Sequence, residues 1–352
     1  MTAEHDGSIL SVEHLTVHFP YGNRLLLPPK DFVHAIDDIS FFVKRKEIVG
    51  IVGESGSGKT TIGNVVVKLV RPSSASSLVK FENEDVFSQN LAQERAYRRN
   101  VQMIFQDPYD SLNPRSRAVD AISQPLIAQG LVRNGTGKMQ MVTNALKVVG
   151  LNLAEVLYKY PHQLSGGQRQ RIAVARAIVT RPKLIIADEP VSMLDVSVRS
   201  EILNLMLDLR RDLDLTWLFI SHDLAVTRYV SDRIMVIYLG RIMETGPTEE
   251  ILGHPEHPYT QLLVATVPAI DSALEDYPRA KVKIRGEIPS GINPAPGCRF
   301  QSRCPYAFEE CRKIDPPLIE VKPDHYVACL LVRAENLKGP ESARSGHRIR
   351  MA

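Results

Sequence analysis

"KEIVGIVGESGSGKTT", residues 46–61, decides how the rest of the chain is read. Its first half, 46–53, is a short apolar run of the kind that a strand buried on both faces requires. It runs straight into glycines. Gly53, Gly58, Lys59 and Thr60 then fit G-x-x-x-x-G-K-[ST]. Glycines between a strand and a helix let main-chain N–H groups curl around β- and γ-phosphates. A lysine there adds a point charge, and a first-turn hydroxyl reaches Mg²⁺. The stretch therefore predicts a nucleotide cradle built from Gly53, Ser55, Gly56, Ser57, Gly58, Lys59, Thr60 and Thr61, with Thr60 toward Mg²⁺. "TTIGNVVVKLV", 60–70, predicts the helix that such a loop opens, despite its β-branched residues.

Outward from this point the pattern alternates. "ILSVEHLTVHF", 9–19, switches between apolar and polar residues as a half-buried strand does. "RLLLPPKDF", 24–32, breaks that pattern with two prolines and predicts a loop. "VQMIF", 101–105, predicts a strand, and "RIMVIYLGRIMETG", 233–246, a hairpin through Gly240-Arg241. "KLIIADEP", 183–190, predicts a buried strand that ends in two acids, and "TWLFISHD", 216–223, one that ends in a histidine. Between them, 107–182 changes to loops and amphipathic helices. Val142, Leu146 and Val149 fall at helical spacing, as do Ile172, Ala175 and Val179. Polar residues at strand C-terminal ends indicate an α/β fold with its site on one sheet edge. There Asp188 is suited to Mg²⁺, Glu189 to polarising a water in line with the γ-phosphate, and His222 to holding that water.

Bulk numbers narrow the function. The 352 residues are 44% hydrophobic and 24% charged, ordinary for a globular protein, and the net charge of +3 does not argue for nucleic acid. No apolar run approaches the roughly 18 residues of a membrane-spanning helix. The N-terminus lacks the basic-then-apolar pattern of a signal peptide. A cytosolic protein is expected, held at a membrane only by other chains. Its four cysteines, Cys298, Cys304, Cys311 and Cys329, are spaced C-x5-C-x6-C-x17-C. In a reducing compartment they read as metal ligands before disulfides. No C-x2-C pair favours zinc; four thiolates at looser spacing suit an iron–sulfur cluster, with zinc and free thiols as alternatives.

"LSGGQRQR", 164–171, is a second glycine-rich helix start in a chain that already has one. A resemblance explains it. "GESGSGKTT", "IFQD", "LSGGQRQR", "LIIADEP", "SMLD" and "FISHD" occur in the order found in ATP-binding cassette (ABC) ATPases, over about residues 9–270. The resemblance implies a P-loop, RecA-like core (1–106 and 183–270) with an inserted helical lobe (107–182). An extension (271–335) and a disordered tail (336–352) complete the division. It implies ATP and Mg²⁺ as ligands. Gln106 becomes the glutamine that reaches Mg²⁺ and the water, Asp195 the aspartate after the hydrolytic strand, and Phe19 the adenine-stacking aromatic, with Tyr21 its rival. Met193 stands where the family more often has alanine. Ser165, Gly166, Gly167 and Gln168 would cap an ATP held by a facing subunit.

Outside the core, "DPYDSLNPR" (107–115), "HPEHPYTQLLVATVP" (254–268) and residues 289–331 resemble dipeptide/oligopeptide importers. That branch implies a peptide cargo, with sugar or nickel as alternatives, and a structural [4Fe–4S] cluster on the cysteines. The implied partners are a second ABC ATPase (heterodimer, or a homodimer), two transmembrane permease subunits and an extracytoplasmic binding protein, at the cytoplasmic face of the membrane. The competing class is a soluble ABC ATPase acting on ribosomes or DNA.

Overall fold

The computed structural model describes residues 7–22, 29–107, 111–132, 135–266, 287 and 289–332. The tail expected to be disordered lies outside the described residues, as do 108–110 and 24–28. Strands are numbered along the chain. β1 (Ser8–Tyr21) and β2 (Asp31–Lys44) form a long antiparallel pair, which β4 (Leu78–Phe81) and β5 (Glu84–Asp85) extend into a sheet of order β2-β1-β4-β5. The sequence pattern did not show β2. Its register against β1 shifts between Val12 and Leu15, Leu15 and Val17, and Val17 and His18. Such bulges destroy the two-residue alternation that marks a strand.

The second sheet carries the site. β3 (Ile48–Val52), β6 (Val101–Ile104), β7 (Leu184–Asp188), β8 (Thr216–Ser221) and β9 (Arg233–Tyr238) run parallel in the order β9-β3-β8-β7-β6. β3, β7 and β8 are buried at every residue, as strands covered on both faces must be. Gly50 lets the helix Leu224–Val230 press onto β3; a Cβ there would lie 2.2 Å from the Thr227 methyl. β10 (Arg241–Pro247) turns back on β9, as the hairpin reading expects. β12 (His325–Val327) then pairs with β10, and β11 (Ile319–Lys322) with β12. The cysteine-bearing segment therefore continues the core sheet through hydrogen bonds. The expected extension thus joins the sheet edge as a hairpin.

Among the described residues, the α-helices Ala118–Ala128, Gly135–Val148, Leu153–Val156 and Gly166–Ile178 lie in the stretch between β6 and β7. Val142, Leu146, Val149, Ile172 and Ala175 are fully buried, so the helical spacing marks the packed face. They share one apolar cluster with Ile185, Trp217 and Phe219 of the sheet. A second cluster joins the two sheets through Leu15, Ile51, Ile62 and Ile220. The helix expected over 60–70 is shorter, Lys59–Val66. It stops as Lys68 enters the left-handed region at φ 61°.

Candidate nucleotide site

The loop after β3 is shaped by what cannot fit around it. A Cβ on Gly53 would lie 2.1 Å from the Ile237 carbonyl oxygen. Gly58 adopts φ 105°, and a Cβ there would meet the Ala35 carbonyl at 2.2 Å. Only glycine meets both demands. The helix Lys59–Val66 starts directly after Gly58, with no side-chain cap and no acid in its first turn. Its first-turn N–H groups have no acceptor within the helix. Lys59 is buried, and its Nζ donates to the carbonyls of Gly53 (2.8 Å) and Glu54 (2.9 Å). Burial holds its ammonium below the ordinary value, against the opposing pull of Glu189, Asp188 and Glu54. A buried cation resting on weak carbonyl acceptors is poised for a stronger anion. Ser57 is also buried, and its Oγ has no hydrogen-bond partner.

The adjacent strands β6, β7 and β8 end side by side; Glu189 and His222 directly follow β7 and β8, and Gln106 is the second residue after β6. Thr60 Oγ1 donates to Asp188 Oδ1 at 3.1 Å. Burial raises the Asp188 carboxyl; Thr60 opposes the shift and Glu189 adds to it. A cation at this spot would reverse that. Glu189 sits at φ 45°, an uncommon conformation for a residue with a side chain. Its N–H donates to the Ile220 carbonyl at 2.8 Å, which locks the turn. Its carboxylate is then held from both sides: Gln106 Nε2 donates to Oε2 at 3.0 Å, and His222 Nδ1 lies 3.0 Å from Oε1. Gln106, Thr60, Asp188, Glu189 and His222 thus come together around the loop that carries Lys59.

Phe19 and Tyr21 lie two residues apart near the end of β1, opposite Val33 and Asp31, and both are exposed. Beneath them is a cluster that sequence reasoning missed. His18 stacks on His34 with ring centroids 3.9 Å apart, and both rings hydrogen-bond Asp37. Arg299 pairs with the same carboxylate. Burial alone would raise Asp37; the histidine hydrogen bonds and the arginine charge outweigh it and hold the carboxyl below its ordinary value.

Ser165 caps the helix Gly166–Ile178. Its Oγ accepts from Gln168 N at 3.2 Å, and Gln168 Oε1 accepts from Ser165 N at 3.1 Å. Gln168 therefore has a local duty, closing a capping box. Ser165 stays exposed. Gly167 is needed where it stands, since a Cβ would lie 2.7 Å from Val198 Cγ1. Val198 belongs to the helix Val196–Leu213, whose N-cap is Asp195. Met193 and Val196, on either side of Asp195, are exposed apolar residues.

None of the four cysteines forms a disulfide. Cys298, Cys311 and Cys329 are buried and Cys304 is half-buried. Burial pushes the thiol of Cys298 up to about 12 and that of Cys304 up to about 11, and raises Cys329. The neighbouring cysteines add to each shift. Opposing it are main-chain N–H donors aimed at sulfur: Phe300 to Cys298, Tyr306 to Cys304, and Leu331 and Val332 to Cys329. N–H groups directed at sulfur favour thiolate over thiol. The described residues include one trio of ligand atoms within 4.8 Å of one another, His18, His34 and Asp37, so no three of the sulfurs are that close. A single zinc tetrahedron would bring them to roughly 4 Å.

Among known proteins, the ABC transporter family profile matches residues 36–192, and the profile of the oligopeptide/dipeptide transporter C-terminal region matches 243–311. The chain is 41% identical over 330 residues to the putative oligopeptide transport ATP-binding protein YkfD of Bacillus subtilis, covering 94% of this chain and 97% of that one. It is 42% identical over 334 residues to the oligopeptide transport ATP-binding protein AppF of the same organism, covering 94% and 99%. Among solved structures, it is similar to the ATP-binding cassette MJ0796 in a dimeric post-hydrolysis state bound to ADP and Pi. That match has a TM-score of 0.59 and 26% identity, over 68% of this chain and 98% of that one.

Proposed function

The chain belongs to the ATP-binding cassette (ABC) transporter family, and from that premise we propose that it is the ATP-hydrolysing subunit that powers peptide import through a membrane permease. One observation carries the enzymatic half: Glu189 is gripped at 3.0 Å by both Gln106 and His222, next to Lys59 and the Thr60–Asp188 pair. In this reading the N–H groups of 56–61 and Lys59 hold the β- and γ-phosphates. Mg²⁺, held by Thr60, Asp188 and Gln106, would neutralise charge on the phosphate oxygens. Glu189 accepts a proton from water as the water oxygen attacks the γ-phosphorus. The bond from that phosphorus to the bridging oxygen breaks, and the electron pair leaves with ADP. His222 contacts the γ-phosphate and keeps Glu189 aimed. Phe19 stacks on adenine, with Tyr21 the alternative on the same strand. Replacing each by alanine and comparing ATP with GTP binding separates the two.

The Gly166–Ile178 helix start is assigned to a second nucleotide. Ser165, the Gly166 and Gly167 N–H groups and the positive helix end would meet the γ-phosphate on a facing chain, with Asp195 at the same seam. That facing chain is a second cassette ATPase, a paired subunit or another copy. ATP closes the pair, and loss of the γ-phosphate reopens it. The dimeric state of MJ0796 with ADP and Pi fits this cycle. Two permease subunits and an extracytoplasmic binding protein complete the machine. No described helix is long and apolar enough to cross a membrane, so attachment at the cytoplasmic face would rest on the permease. Peptide as cargo is supported by the matched C-terminal region and by the names of the relatives. The test is peptide-stimulated ATP hydrolysis by the reconstituted transporter; hydrolysis stimulated by nucleic acid without the permease would overturn it.

Cys298, Cys304, Cys311 and Cys329 are proposed as the ligands of a [4Fe–4S] cluster; the main-chain N–H groups directed at three of the sulfurs support this by favouring thiolates. Such a group would tie the 298–311 loops to the strand end at Cys329. Visible absorption with iron and sulfide analysis after anaerobic purification tests it. A colourless, iron-free, folded and active protein would count against it.

A further inference from the structure

The cysteine loop reaches back into the phosphate cradle. Glu54 is the second residue of the glycine-rich loop, and its carboxylate accepts Arg303 Nη1 at 2.6 Å and Nη2 at 3.0 Å. Its N–H donates to the Tyr259 hydroxyl at 2.9 Å, and its carbonyl accepts Lys59 Nζ at 2.9 Å. Every polar group of Glu54 is thus engaged. Arg303 is buried, 5% exposed, and its Nη1 also lies 3.3 Å from the Tyr238 hydroxyl. Tyr238, Tyr259 and Phe300 pack into one aromatic cluster around it. Arg303 directly precedes Cys304, and its N–H and that of Cys304 both bond the Phe300 carbonyl. At the other end of the same loop, Arg299 directly follows Cys298 and pairs with Asp37 on β2. Asp37 also holds His18, the neighbour of Phe19.

A carboxylate inside an anion-binding loop is a liability. Left unpaired it repels the triphosphate and pulls on Lys59 through space. A two-point arginine bond removes the charge and fixes the loop's first peptide. We propose that the Cys298–Cys304 loop braces the nucleotide site, with Arg303 a positioning residue that neutralises and fixes Glu54 and Arg299 steadying the strand beneath the adenine aromatic. The integrity of the cysteine loop thereby sets the affinity for ATP. The proposal rests on reading 53–61 as the phosphate cradle.

The experiment titrates the intact chain with a fluorescent ATP analogue in Mg²⁺, with thermal unfolding recorded for every variant. Wild-type binding that is lost in Lys59→Ala checks the underlying cradle separately. Arg303→Gln is expected to weaken binding on the order of tenfold. Adding Glu54→Gln to Arg303→Gln is expected to restore most of that loss, because no lone carboxylate remains. Arg303→Lys should fall between. Cys304→Ser should weaken binding in the wild-type background and less in Glu54→Gln. Unchanged affinity in Arg303→Gln overturns the proposal. So does a double variant as weak as Arg303→Gln alone, which would reduce the arginine to a packing residue.

Discussion

Two glycine-rich turns open two helices of this chain, and they differ in the company they keep. The first, at Gly58, has Lys59, the Thr60–Asp188 pair and Glu189 with its two partners gathered around it. The second, at Ser165, is closed on itself by the Ser165–Gln168 capping box and stays exposed. In the proposed reading the first turn holds and cuts a phosphate chain, while the second presents an exposed helix start to a facing chain. The difference teaches that a helix start binds an anion wherever one is presented, but chemistry requires strand ends beside it.

The largest effect should come from the first turn. Glu189→Gln keeps the size of the side chain but removes the base; turnover is expected to fall about a thousandfold while ATP affinity stays near wild type. Stopped-flow or steady-state kinetics beside equilibrium binding would show it, and rapid turnover would remove Glu189 from its role. Next comes the second turn. Ser165→Arg should cut turnover about a hundredfold and leave ATP binding by the isolated chain unchanged. Equal losses in both quantities would erase the contrast between the two turns.

A smaller effect is expected in stability. Gly167→Val forces a side chain to within 2.7 Å of Val198, and should cost about 1–3 kcal/mol in denaturant unfolding. The last expected effect is a slope with pH. His257 is buried, accepts the Tyr259 N–H at Nδ1, and is pushed by burial from 6.5 down to about 3. The unfolded chain therefore binds the extra proton between those values. His257 should contribute stability that is full above pH 6.5 and is lost as pH falls toward 3. The expected slope is about 1.4 kcal/mol per pH unit. His257→Asn should flatten that part of the stability curve; an unaltered slope would place the acid sensitivity elsewhere.

The first turn was legible because its parts follow strands in sequence. Gln106, Asp188, Glu189 and His222 close or closely follow apolar runs, Lys59 sits on the glycine loop that follows another, and a parallel sheet brings those run ends together. What was not legible depends on distance or on irregular backbone. Glu54 and Arg303 are far apart in sequence and neither belongs to a pattern linking them. The positive φ of Glu189 leaves no sequence mark. β2 hid behind its bulges, and the joining of β12 to β10 could not be read from a three-residue strand. Gln168 was read as a phosphate contact alone, while its carbonyl oxygen also closes the helix cap.

Turnover per chain, measured against total cassette concentration for wild type and for Ser165→Arg, tests the shared nucleotide most directly. The account predicts wild-type turnover that rises with the fraction of paired chains, and a Ser165→Arg protein that binds ATP yet stays inactive at every concentration. Turnover independent of dilution and untouched by Ser165→Arg would contradict it.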